Sequence, residues 1–299
     1  MLYFDCYSFF IFKAMLLFLI PTLLSSFEVP ANHNFQINPA FQVVTSIVPQ
    51  KIKKEFKPVI NAKSAIAMDL DSHTILYGKN INEAVPFASI VKLMVASLII
   101  EENNLDEIVT IDNASTKIEG SKVYLNAGEK ITYRDLLYLM LIPSGNDAAH
   151  ALAIANSGSS AKFVEKMNYK AKLLGLKNTI FTDPVGLSAD QKSSSLDLTN
   201  LTAYALQKPL IRNIINHKQI TITSENGITR QIKNTNKLLN SYLDVHGVKT
   251  GSTDEAGECV ISLAKNDQGH EIITVILNSK DRFQESKTLI DWVWHSYIW

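Results

Sequence analysis

The chain has 299 residues, 46% of them hydrophobic, enough for one large domain or two modest ones with a sizeable core. Its 29 lysines and arginines balance 29 aspartates and glutamates, so no basic surplus exists to neutralise phosphates, and nucleic acid is excluded as the main partner. Two cysteines, Cys6 and Cys259, leave no disulfide framework or cysteine-based metal spacing, and the scattered histidines form no HExxH pair, so no metal or organic cofactor is expected.

At the N-terminus, Lys13 precedes an apolar run over residues 14–24 and then small and polar residues, the order of a secretory signal. Val29-Pro30-Ala31 offers a cleavage pattern, Ser26 a rival one, and Met15 an alternative start. Counted from Leu2, the same stretch also suits an uncleaved anchor. Residues 1–31 are therefore expected to be a signal peptide or N-terminal anchor, the one membrane contact foreseen. Residues 32–59 mix Pro, Asn and Gln with short apolar groups and read as a linker holding at most one short element. The folded domain is expected over 60–299.

SAIAMDL and TILYGKN predict two strands of a hairpin turning at Asp71-Ser72-His73. VPFASIVKLMVASLII predicts a buried helix over 89–100, in which Lys92 is the single ionisable residue. A charged amine is costly to bury unless it is paired or neutralised. Ser89 lies three residues earlier, on the same helix face. The pair is what an amine-activated serine nucleophile needs, although a lysine reaching out to solvent gives the same pattern.

Thr132 and Asp135 have capping-box spacing ahead of LLYLMLI, and Pro143 ends that helix. Ser144-Gly145-Asn146 is left in a loop before the helix DAAHALAIANS, which these residues also suit as caps. FVEKMNYKAKLLG predicts an amphipathic helix stopping at Gly175. Strand character returns at Val248 with Lys249-Thr250-Gly251, where the lysine alone reads equally well as an edge-strand charge. GECVISLA and EIITVILN form a second hairpin, and ESKTLIDWVWHSYIW a closing helix packed on the sheet. Strands at both ends and helices between them predict an α+β fold: one antiparallel sheet flanked by helices, with a mostly helical insertion over 105–235.

Ser-x-x-Lys at 89–92, Ser-Gly-Asn at 144–146 and Lys-Thr-Gly at 249–251, in that order and spacing, resemble the low-molecular-weight penicillin-binding proteins, the serine D-alanyl-D-alanine carboxypeptidases and their endopeptidase relatives. PFASIVKLM, LMLIPSGNDAAHALA, FTDPVGLS and HGVKTGSTDEAGEC agree with this over residues 60–299. The resemblance implies a β-lactamase/transpeptidase-like fold and an acyl-enzyme on Ser89. It implies Lys92 as the proton acceptor, Ser144 as a relay hydrogen-bonded to the lysine side, and Asn146 as the group orienting lysine and substrate. Lys249 and Thr250 would hold the terminal carboxylate, Gly251 would let the strand approach the substrate, and the N–H groups of Ser89 and Ser252 would form the oxyanion hole. The implied partners are peptidoglycan stem peptides and, as covalent inhibitors, β-lactam antibiotics. The implied location is the periplasm or the outer face of the cytoplasmic membrane.

Free lysine is protonated at neutral pH, so Lys92 must be neutralised, and burial together with the second cation Lys249 would do this. A β-lactamase would need a deacylating glutamate ahead of the Lys-Thr-Gly strand. Residues 181–201 offer only Asp183, Asp190 and Asp197, and Gly145 replaces an aspartate, so a peptidase is favoured. A non-catalytic penicillin-binding sensor would be expected to lack the serine or the lysine. QKSSSLDLT departs from the family's usual Ser-Thr-Ala pattern. With the chain ending at Trp299, no C-terminal anchor is expected, and carboxypeptidase and endopeptidase both stay open.

Overall fold

The computed structural model describes residues 47–52 and 57–299; the signal or anchor segment and most of the linker lie outside the described residues. Five antiparallel strands make the central sheet: β1 (Ser64–Asp69), β2 (Ile75–Lys79), β3 (Val245–Thr253), β4 (Gly257–Lys265) and β5 (Glu271–Ser279). Their order is β3-β4-β5-β1-β2, so the two ends of the chain meet where β5 pairs with β1. The turn between β1 and β2 is closed by Asp69, whose carboxylate accepts from Ser72 N at 2.8 Å.

Alternation along the strands divides the core between two faces. Ala65, Ala67, Val260, Ile272 and Ile276 face helix α7 (Arg282–Ser296), which buries Leu289, Ile290 and Val293 against them. Ile66, Ile261, Leu263, Ile273 and Val275 face the opposite way, into a larger helical core. That core is built on α1 (Lys92–Glu102), surrounded by α2 (Tyr133–Leu141), α3 (Asn146–Ser157), α4 (Ser160–Leu173) and α5 (Ser195–Leu206); α6 (Pro209–Asn216) packs on α2 and α5. Helix α1 is buried from Lys92 to Ile99, which is why its sequence is apolar all round.

Thr132 caps α2, its Oγ1 accepting from Asp135 N at 3.0 Å while its hydroxyl donates to Asp135 Oδ2 at 2.8 Å. Two details depart from the sequence reading. The helix foreseen from residue 89 starts as a 3-10 turn, Ala88–Val91, and becomes α-helical at Lys92. The segment read as mostly helical also holds Ile108–Thr110 paired with Lys130–Thr132, and a hairpin of Gln219–Thr223 with Thr229–Lys233. Ile222 and Ile232 of that hairpin turn inward, and Asn226-Gly227 sits at its tip. A further short pair, Gln50–Lys51 with Tyr297–Ile298, ties residues just before the domain to its last strand. No helix among the described residues is long and apolar enough to cross a membrane.

Candidate active site

The 3-10 turn places Ser89 at the entrance of α1 and aims Lys92 into the core. Lys92 Nζ lies 2.9 Å from Ser89 Oγ, 2.8 Å from Asn146 Oδ1 and 2.6 Å from the carbonyl oxygen of Val185. Ser89 Oγ is also 3.4 Å from that carbonyl. Lys92 is fully buried and has no carboxylate ion pair among the described residues. Burial therefore pushes its amine down to about 7, against the opposing pull of the Asp183 and Asp147 carboxylates. A neutral amine carries two hydrogens and one lone pair. Asn146 Oδ1 and Val185 O suit the hydrogens, and the lone pair is left facing the Ser89 hydroxyl.

The turn is held from both sides. Gly251 on β3 comes so close that a Cβ there would meet Ser89 N at 2.9 Å and Phe87 O at 3.0 Å. On the other side Gly186, at φ +93, would place a Cβ 2.4 Å from Ala88 O. Both approaches exclude a side chain. Ala88 itself stands in the left-handed region at φ 49, as does Ser144 at φ 66, conformations that cost of order 1 kcal/mol each in non-glycine residues.

Asn146 opens α3, with its side chain fixed in two directions: Oδ1 toward Lys92, and Nδ2 donating to Glu119 O at 2.7 Å. The loop before it is fastened by the next residue. The buried Asp147 carboxylate accepts from Val123 N, Leu125 N and Ala148 N at 3.0–3.1 Å. Ser144 is buried close by, but its hydroxyl makes no hydrogen bond among the described residues, and the third partner of Lys92 is the Val185 carbonyl. Ser144 was expected to hydrogen-bond the lysine side as a relay; here the third contact of the amine is the backbone carbonyl that the 183–188 loop supplies.

β3 is an edge strand, and it carries the third motif. Lys249 is fully buried, and among the described residues its Nζ donates to Thr250 O alone, at 3.0 Å, with no carboxylate partner. Burial first, then repulsion from Lys92 and Arg282, drives its amine well below its ordinary value. Thr250 Oγ1 is 2.7 Å from Thr235 Oγ1, and Ser252 is exposed beyond Gly251. Arg282, at the start of α7, donates from Nη1 to Gly251 O at 2.7 Å. Its place 31 residues after Gly251 gave no sequence signal, nor did the roles of the Val185 carbonyl and Gly186.

A serine hydroxyl against a buried, depressed amine, beside an edge strand with an unpaired buried cation, defines a serine enzyme of the Ser-x-x-Lys class. A sequence profile of the D-alanyl-D-alanine carboxypeptidases matches residues 51–281. A D-alanyl-D-alanine carboxypeptidase of Bacillus subtilis is 35% identical over 79% of this chain and 63% of its own length. A D-alanyl-D-alanine endopeptidase of Escherichia coli is 32% identical over 85% of this chain and 86% of its own. The crystal structure of the Streptomyces K15 DD-transpeptidase superposes with a TM-score of 0.75 at 33% identity, covering 81% of this chain and all of that one. The chain belongs to the D-alanyl-D-alanine carboxypeptidase family of serine peptidases, with the penicillin-binding transpeptidase fold of the Streptomyces protein.

Proposed function

We propose that this protein is a serine D-alanyl-D-alanine carboxypeptidase acting on peptidoglycan stem peptides. The observation that carries the reading is the Ser89–Lys92–Asn146 cluster beside the unpaired Lys249. Ser89 Oγ attacks the carbonyl of the penultimate D-alanine as its proton passes to the neutral Lys92 amine. The resulting oxyanion is held by the N–H groups of Ser89 and Ser252, each worth about 3 kcal/mol by analogy with other acyl-transfer sites. The C–N bond breaks as the proton moves from Lys92, by way of Ser144, to the departing D-alanine amine. Water then releases the acyl group.

Lys249, Thr250 and Arg282 form the seat for the terminal carboxylate. In the empty site Lys249 is driven toward neutrality by burial and by two neighbouring cations. An arriving carboxylate supplies the missing counter-charge. A substrate ending in D-alaninamide is therefore expected to lose about 10²-fold or more in kcat/KM, because it brings no counter-charge to the buried Lys249 amine. Equal turnover of acid and amide would remove Lys249 from the seat.

With Lys92 at about 7, acylation by a fluorescent penicillin should fall about tenfold per pH unit on the acid side and level off above pH 8. The sign follows from the role: the base works only when deprotonated, so activity is lost as pH drops through its pKa. A limb at pH 10 or higher would show that Lys92 is an ordinary charged lysine.

Cleavage of D-alanyl cross-links is the second reading, favoured by the match that takes in 86% of the Escherichia coli endopeptidase. Incubation with a D-alanyl-D-alanine pentapeptide and with a cross-linked muropeptide dimer decides between them. Release of D-alanine from the first alone supports the carboxypeptidase, and splitting of the dimer the endopeptidase. Rapid turnover of penicillin would instead mark a β-lactamase. In either peptidase reading the enzyme works outside the cytoplasmic membrane. The signal-like order of residues 1–31 supports this, and cell fractionation with N-terminal mass spectrometry tests it.

A further inference from the structure

The loop that follows α4 and precedes α5 delivers a carbonyl to the catalytic amine, and one side chain folds that loop. Asp183 Oδ1 accepts from Val185 N at 2.7 Å and from Gly186 N at 2.5 Å, and Oδ2 accepts from Ser188 N at 2.8 Å. Three backbone amides within five residues converge on one carboxylate, so the turn is wound around it. The same turn presents Val185 O to Lys92 Nζ at 2.6 Å and seats Gly186 against Ala88 and Ser89. Neither of the other two aspartates in this stretch has that position. Asp197 binds Asn178 N and Thr179 Oγ1 at the start of α5, and Asp190 is exposed.

We propose that Asp183 is a positioning residue for the acylation step: it winds the 183–188 turn that holds the Val185 carbonyl on Lys92, and its negative charge stabilises the ammonium formed when Lys92 takes the Ser89 proton. The inference rests on the reading of Lys92 as the base. The groups facing that amine are Ser89 from the 3-10 turn, Asp147 from α3, Lys249 from β3 and Asp183 from this loop, with Arg282 of α7 acting on Lys249. Both carboxylates are held by three backbone amides, but Asp147 is fully buried whereas Asp183 is only partly so. Burial depresses the Lys92 amine, and Asp183 is the foremost group opposing it. The fold thus sets the base between two demands: neutral enough to accept a proton, and stable enough once it has done so.

Asp183→Asn separates the two contributions. Its Oδ1 can still take the Val185 and Gly186 amides while the charge is gone. In single-turnover labelling by a fluorescent penicillin across pH, its acid limb should lie about one pH unit below that of the wild type, with a lower plateau. Asp183→Ala loses all three acceptors, and its plateau should fall about 10²-fold as the carbonyl leaves the amine. Asp190→Asn, in the same stretch but exposed, should leave the limb in place. The rate constant is taken from the labelled fraction alone, so a partly unfolded preparation does not imitate a slower one. An unmoved limb in Asp183→Asn would reduce the residue to a loop support and overturn the proposal. A wild type that takes no label at Ser89 would instead overturn the assignment of the base itself.

Discussion

Alanine in place of Lys92 is expected to slow acylation of Ser89 by about 10²–10⁴-fold, the range of a positioned general base. Among the described residues no second group is placed to take over. Asn146, the other side chain in contact with the amine, has no titrating atom, Lys249 hydrogen-bonds only Thr250 O, and Asp183 and Asp147 are committed to backbone amides. The residue is fully buried, so the substitution also opens a cavity. Lys92→Met keeps most of the volume and separates the two effects: its rate should be as low as that of alanine while its melting temperature stays closer to wild type. Mass spectrometry of the penicillin adduct reads the rate directly. Labelling within tenfold of wild type would mean that another group accepts the Ser89 proton. Lys249→Ala should behave differently, weakening carboxylate-bearing substrates through KM while Ser89 remains open to acylation.

The contrast between these two lysines shows how far the sequence could be read. Ser89 and Lys92 were legible because the chemistry demands them three residues apart on one helix, a local rule. The Thr132–Asp135 cap and the hairpin of β4 and β5 were legible for the same reason. The carbonyl of Val185 was not, because a backbone group carries no residue identity and its direction depends on how Asp183 winds the loop. Gly186 entered only as part of FTDPVGLS, and Gly251 as the glycine that lets the strand approach the substrate. Their joint service, closing on Ser89 from opposite sides, arises only when distant segments pack. The hairpin of Gln219–Thr223 and Thr229–Lys233 did announce itself through Asn226-Gly227 between alternating isoleucines. It was absorbed into a helical reading of its surroundings, since only one face of each strand is apolar and both strands are short.

That hairpin carries the second large effect. Arg230 reaches from it across to the loop before α2 and binds the buried Glu129 with its two terminal nitrogens, Nη1 at 2.5 Å and Nη2 at 2.8 Å. The same guanidinium donates to Val123 O and Tyr124 O, both at 2.8 Å. Val123 and Leu125 in turn give their amides to Asp147, the neighbour of Asn146. One side chain thus links an outlying hairpin to the stretch of backbone that backs Asn146. Arg230→Ala would leave the Glu129 carboxylate buried without a counter-charge and two carbonyls without donors, a loss of about 3–5 kcal/mol. In a domain of this size that corresponds to a fall in melting temperature of about 6–20 °C. Acylation of the fraction that stays folded should also slow, because Asn146 loses its backing. The double substitution Arg230→Met with Glu129→Gln removes both charges, and it should recover a good part of the stability lost by Arg230→Ala, since breaking a buried pair costs more than replacing it. Thermal unfolding of the three proteins side by side is the measurement. If Arg230→Ala melts within about 2 °C of wild type, the pair is not the link between hairpin and site. If the double variant is no more stable than Arg230→Ala, the loss comes from the two orphaned carbonyls rather than from the buried charge of Glu129.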